Sequence, residues 1–109
     1  MKKNLSFNEL RKVNKFRCET AFNHGLHSWS LAEWSNALAG EAGETCNITK
    51  KIKRGDFTLD EAKKDLAKEI ADIVCYCDLL AAAADIDLGQ SVIEKFNEVS
   101  DRRGVDIKL

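Results

Sequence analysis

Nothing inside this chain forbids a helix, and four signals say where helices begin. Its 109 residues include no proline, the residue that removes a helical hydrogen bond and clashes with the preceding turn. Four times a Ser, Thr or Asp stands three residues before a Glu or Gln: Ser6 with Glu9, Ser30 with Glu33, Thr58 with Glu61, and Asp87 with Gln90. At that spacing the first side chain accepts from a first-turn amide and the second reaches back to the cap. Gly25, Gly55 and Gly104 follow the first, second and fourth segments, as glycine does past a helix end. Lys50, Lys51, Lys53 and Arg54 crowd the end of the second, where cations suit the dipole.

These signals predict helices over 6–23, 30–54, 58–85 and 87–103. Leu10, Val13, Phe16 and Thr20 mark an inner face for the first, and Leu88, Val92, Phe96 and Val99 for the last. No strand pattern competes apart from a short alternating tail, Val105 to Leu109. The length suits one domain over residues 1–109. The expected fold is an all-α bundle of about four helices.

Two of the four predicted helices carry acids where their apolar stripes should run uninterrupted. Trp34, Leu38, Glu41, Thr45, Ile48 and Ile52 share one face of the second. Leu66, Glu69, Ile73, Tyr76 and Leu80 share one face of the third. Glu44 lies one turn from Glu41 and Asp72 one turn from Glu69, so each pair occupies one side of its helix. The residues four positions on from these acids are Thr45, Ile48, Ile73 and Tyr76, none of them basic. Two unit charges about 4 Å apart repel by roughly 4 kcal/mol at an effective dielectric of 20, so a buried group of four needs a compensating cation. Carboxylate oxygens suit Mg²⁺, with Mn²⁺ as the alternative, rather than zinc, which takes nitrogen and sulfur.

Other metal chemistries find less support. A di-iron bundle uses Glu-x-x-His pairs, and here His24 and His27 fall in a predicted loop with Ala21, not an acid, one turn before His24. Cys18, Cys46, Cys75 and Cys77 show no C-x-x-C spacing, and Cys75 and Cys77 point about 160° apart on a helix. They read as buried, reduced thiols.

The formal net charge of -1 supplies no global basic field, so general nucleic-acid binding is not expected. The apolar run Ile70 to Ala84 is interrupted by Asp72 and Asp78 and is too short for a bilayer, and no signal sequence opens the chain. The expected setting is therefore cytoplasmic, with no membrane partner.

A metal held by carboxylates with open positions meets substrate phosphates. Lys50, Lys51, Lys53 and Arg54 beyond Glu44, and Lys95 and Arg102 on one face of the last helix, are candidate phosphate contacts, and Trp29 and Trp34 could stack on a base, although Trp34 also suits core packing. Gly40 and Gly43 each cost about 1 kcal/mol within a helix. They imply either close helix packing or close approach of a ligand beside the acids.

At this point the residues resemble the MazG-like all-α nucleoside triphosphate pyrophosphohydrolases. The resemblance runs from about Arg17 to Leu109. It rests on Trp29-Ser30-Leu31-Ala32-Glu33-Trp34, Gly40-Glu41-Ala42-Gly43-Glu44, Lys68-Glu69-Ile70-Ala71-Asp72-Ile73, and the segment Lys95 to Gly104. It implies Mg²⁺-dependent cleavage of a nucleoside triphosphate to a monophosphate and pyrophosphate. Glu41, Glu44, Glu69 and Asp72 match the family's metal ligands, and Glu41 or Glu44 would orient the attacking water. Of the candidate phosphate contacts, the resemblance implies Lys53, Lys95 and Arg102. Asn97 and Ser100 belong to the matching last segment and could contact metal, phosphate or base. The resemblance also implies a homodimer or homotetramer, for which Leu79, Leu80 and Ala81 to Ala84 offer a close interface. The competing expectation is a non-catalytic helical interaction module or nucleotide sensor.

Overall fold

The computed structural model describes residues 2–22 and 25–109, so His24 lies outside the described residues. It is all-helical. Four helices occur in order, α1 (Phe7–Thr20), α2 (Leu31–Arg54), α3 (Leu59–Ala83) and α4 (Leu88–Arg102), with a 3-10 turn at Leu26–Ser28 before α2. No strand is present among the described residues, the tail after Gly104 included. No helix among them is long and apolar enough to cross a membrane.

All four predicted caps form, in two grades. Ser30 and Thr58 close complete reciprocal boxes with Glu33 and Glu61. Ser6 and Asp87 accept from the amides of Glu9 and Gln90, while Glu9 pairs instead with Lys3 and Gln90 donates to Glu94. The third helix had no glycine to stop it. The chain turns there through Asp85, at φ 57°, a left-handed conformation that a short polar side chain tolerates.

α2 and α3 form a long antiparallel hairpin, and α1 packs across α3. The stripes foreseen on α2 and α3 do face each other, with every member from Trp34 to Ile52 and from Leu66 to Leu80 buried or half-buried. The core proper is small. It gathers Cys18, Leu26, Trp34 and Leu79, with Trp29, Tyr76 and Leu80 against it, and Trp34 donates its indole N–H to the Leu26 carbonyl at 2.8 Å.

The inner faces expected for the outer two helices are corrected. On α1, Val13 and Phe16 are exposed, and the helix docks through Asn14 and Cys18. Asn14 sits there because its amide bonds the Cys75 carbonyl and the Asp78 carboxylate. On α4, Val92, Phe96 and Val99 are exposed and no residue is fully buried. The radius of gyration is 16.5 Å, against about 13 Å for a compact chain of this length. One copy leaves apolar faces without partners.

Candidate metal centre

Glu41 and Glu44 come from the middle of α2, and Glu69 and Asp72 from the middle of α3, where the hairpin brings the two helices side by side. One carboxylate oxygen each of Glu41, Glu69 and Asp72 lies within 4.8 Å of the others. Oxygens around a single Mg²⁺ at about 2.1 Å would stand roughly 3–4 Å apart, so a small contraction closes the set. Oε2 of Glu41 and Oε2 of Glu69 are sealed from solvent and accept no hydrogen bond. A buried acceptor left without a donor costs about 1–3 kcal/mol, and more when charged.

The carboxylates press on one another electrostatically. Contact with Glu41 pushes the proton affinity of Glu69 up, although contact with Glu44 works against it, and burial and the charges of Glu41 and Asp72 add to the rise. Glu44, exposed at the edge, is raised in turn, first by its contact with Glu69 and then by that group's charge. Glu44 therefore flanks the trio of Glu41, Glu69 and Asp72. An all-oxygen set with two donorless oxygens fits a hard divalent cation.

Asp72 belongs to two features at once. Beside the acids opens a pocket of about 470 Å³ lined by Arg17, Trp29, Trp34, Asp72, Tyr76 and Leu79, within the ordinary size range of small-molecule sites. Trp29 and Trp34 meet with ring centroids 4.6 Å apart and planes inclined by 49°. Trp34 and Tyr76 meet at 6.4 Å and 45°. Trp34 is thus a core residue with one edge on the pocket.

The other expected substrate contacts lie elsewhere in the single chain. Lys53 is exposed at the end of α2, nine residues and so about 13 Å along the axis from Glu44. Lys95 pairs with Glu98 at 3.2 Å, and Arg102 approaches the same carboxylate at 4.0 Å. Asn97 holds the tail, accepting from the Leu109 amide at 2.8 Å and donating to its carbonyl at 3.2 Å. None of these four lines the pocket, and α4 packs principally on α1. His27 is exposed.

Arg17 was not foreseen. It stands three residues after Asn14, whose bonds to α3 fix that turn of α1, and its guanidinium lies 5.0 Å from the centre of the Phe22 ring. The signal available in the sequence was that spacing, with one polar residue anchored and the next charge on the same side. Of the four thiols, Cys18 is buried and burial pushes it up, but Cys46 is exposed, against expectation.

The two glycines of α2 are not explained by packing within the chain. A Cβ added at Gly40 or Gly43 would meet no atom within 4 Å, which removes the close-packing alternative for one copy. Gly40→Ala should therefore stabilise the metal-free protein by about 0.5–1 kcal/mol through helix propensity, read from urea unfolding, while lowering turnover if ligand uses the space. A loss of stability instead would mean that another chain abuts Gly40.

Comparison with known proteins returned nothing: no protein-family model, no curated protein and no solved structure matches this chain.

Proposed function

We propose that the protein is a Mg²⁺-dependent nucleoside triphosphate pyrophosphohydrolase of the MazG-like kind, working as a homodimer or homotetramer. The observation that carries the proposal is the pair of buried, donorless oxygens on Glu41 and Glu69, one oxygen of each group lying within 4.8 Å of Asp72. Bound there, a hard divalent ion would neutralise the acids and draw phosphate oxygens to its open positions. Mn²⁺ has the same preference for oxygen ligands.

The chain's own residues would do the rest. The base would lie in the aromatic pocket against Trp29 and Trp34, which Asp72 also lines, so the triphosphate would extend from the pocket toward the acids. Arg17 at the mouth of that pocket would pair with a phosphate oxygen. Glu44, exposed and with its proton affinity raised, or Glu41 beside it, would orient a water and take its proton. Water oxygen then bonds to the α-phosphorus while the bond from that phosphorus to the α,β-bridging oxygen breaks, and pyrophosphate leaves. Lys53, Lys95, Asn97 and Arg102 could join from another copy of the chain, since they do not reach the acids in their own.

Incubation with a panel of ribo- and deoxyribonucleoside triphosphates plus Mg²⁺, followed by product separation, tests the reaction. Monophosphate and pyrophosphate are expected in equal amounts, and Glu41→Gln should lower turnover by at least about 100-fold, the scale of a general-base contribution. Arg17→Ala should raise KM about tenfold or more, as loss of a charge-assisted hydrogen bond does. Release of a diphosphate and orthophosphate would reject the bond assignment.

The unpartnered apolar surface favours a second reading, in which the acids are polar specificity elements in the core of a helical interaction or nucleotide-sensing module. That reading predicts no turnover of any triphosphate and, for a pure interaction module, no response of stability to Mg²⁺.

A further inference from the structure

Arg17 is held differently from Arg11, Arg54 and Arg102. Each of those three faces a carboxylate, that of Asp78, Asp56 or Glu98, and such a partner takes up N–H donors and cancels charge. Arg17 forms no ion pair among the described residues, and its guanidinium instead lies 5.0 Å from the centre of the Phe22 ring. An aromatic face attracts a cation through its quadrupole, with no lone pair to occupy the donors. The charge of Arg17 and its planar fork of N–H groups therefore stay available to an anion.

The backbone puts Phe22 in place. Past the end of α1 the amides of Ala21 and Phe22 both donate to the Arg17 carbonyl, at 2.9 and 3.2 Å. The second bond spans one residue more than a helical bond does, and it brings Phe22 back beside Arg17. Direction matters there because Arg17 borders two cavities. One is the aromatic pocket of about 470 Å³, which Asp72 also lines. The other, of about 260 Å³, is lined by Leu5, Leu10 and Val13 and carries the acid Glu9. Phe22 lines the first and not the second. A long, rotamer-rich side chain left to itself divides its time among many orientations, and the second cavity offers this one a competing carboxylate.

We infer that Phe22 is a positioning residue, holding the Arg17 guanidinium on the aromatic-pocket side with its donors free for a phosphate group of the ligand. The inference rests on the pairing of Arg17 with phosphate proposed above. Phe22 acts only through Arg17, by restricting beforehand the freedom that Arg17 would otherwise lose on binding. Its effect belongs to binding, so KM should carry it and kcat should not.

Calorimetric titration of the full chain with inorganic triphosphate and Mg²⁺ tests this through a double-mutant cycle, with turnover of nucleoside triphosphates measured alongside. Phe22→Leu keeps an apolar side chain and removes the ring. It should raise Kd about two- to fivefold, the scale of an exposed cation–π contact, and raise KM by the same factor with kcat unchanged. Phe22→Tyr, which keeps the ring, should restore wild-type affinity. On the Arg17→Ala background, Phe22→Leu should cost nothing further. A Kd indifferent to Phe22→Leu, a loss that Phe22→Tyr does not restore, a loss that persists in full without Arg17, or a wild type that takes up no triphosphate would overturn the inference. Failure of the enzymatic reading alone has its own signature, in which the binding cycle holds and no nucleoside triphosphate is cleaved.

Discussion

Saturating Mg²⁺ should raise the Tm of the wild-type protein by about 10 °C or more, and Glu69→Gln should abolish the rise. A ligand at 100 times its Kd that binds only the folded state adds about 2.7 kcal/mol, and each kcal/mol moves Tm by about 4–8 °C in a domain near this size. The pH dependence has a definite sign. The folded-state pKa of Glu69 lies above its ordinary 4.5, chiefly through its contact with Glu41. Its contribution to stability is therefore fully present below the unfolded value and is lost as pH rises through the folded one. In EDTA, Glu69→Gln should gain on wild type as pH rises above 4.5, because the variant carries no charge to lose by. In Mg²⁺ the order should reverse, as the ion takes the place of the proton. Differential scanning fluorimetry at fixed protein concentration reads all four conditions, and a Tm indifferent to Mg²⁺ with parallel pH curves would defeat the metal centre.

The second large effect lies on the other side of α3. Asp78 is 1% exposed, accepting from Arg11 Nε at 2.9 Å and Asn14 Nδ2 at 3.1 Å. Arg11 also donates from Nη2 to the Ile86 carbonyl at 2.8 Å, so one carboxylate ties α1 to α3 and, through Arg11, to the turn before α4. Asp78→Ala would leave a partly buried guanidinium without its counter-charge, a loss of about 3–5 kcal/mol. Against a total of about 5–15 kcal/mol, that is a large share, and urea unfolding should show it. The double substitution Arg11→Met with Asp78→Leu should recover most of it, because replacing a buried pair by apolar groups of similar volume is often neutral. A loss under about 1 kcal/mol for Asp78→Ala would mean that the pair does not hold α1 in place.

Both features were present in the sequence, yet only one could be read there. Glu41 and Glu69 declare themselves because each interrupts a stripe of fixed period, a relation between residues three and four apart. Asp78 interrupts an apolar run in the same way, but its partners stand 67 and 64 positions away, and no local pattern joins them. Arg17 was hidden for the same reason, since its place at the pocket follows from how α1 crosses α3. The faces assigned to α1 and α4 went wrong because an amphipathic stripe states that a face will be covered and not by what. On α1 the docking side is the polar one, won by Asn14 through hydrogen bonds, and on α4 the apolar stripe from Val92 to Val99 stays exposed.

Local rules therefore settled the helices, their caps and the seam between α2 and α3, since each depends on contacts within a turn or across a short hairpin. Tertiary structure decided what depends on bringing distant segments together. It put Asp72 at once among the acids and in the aromatic pocket and left the α4 residues away from both. Side chains far apart along the chain meet only when helices choose a crossing, and that choice is made by the packing and charge of the whole molecule.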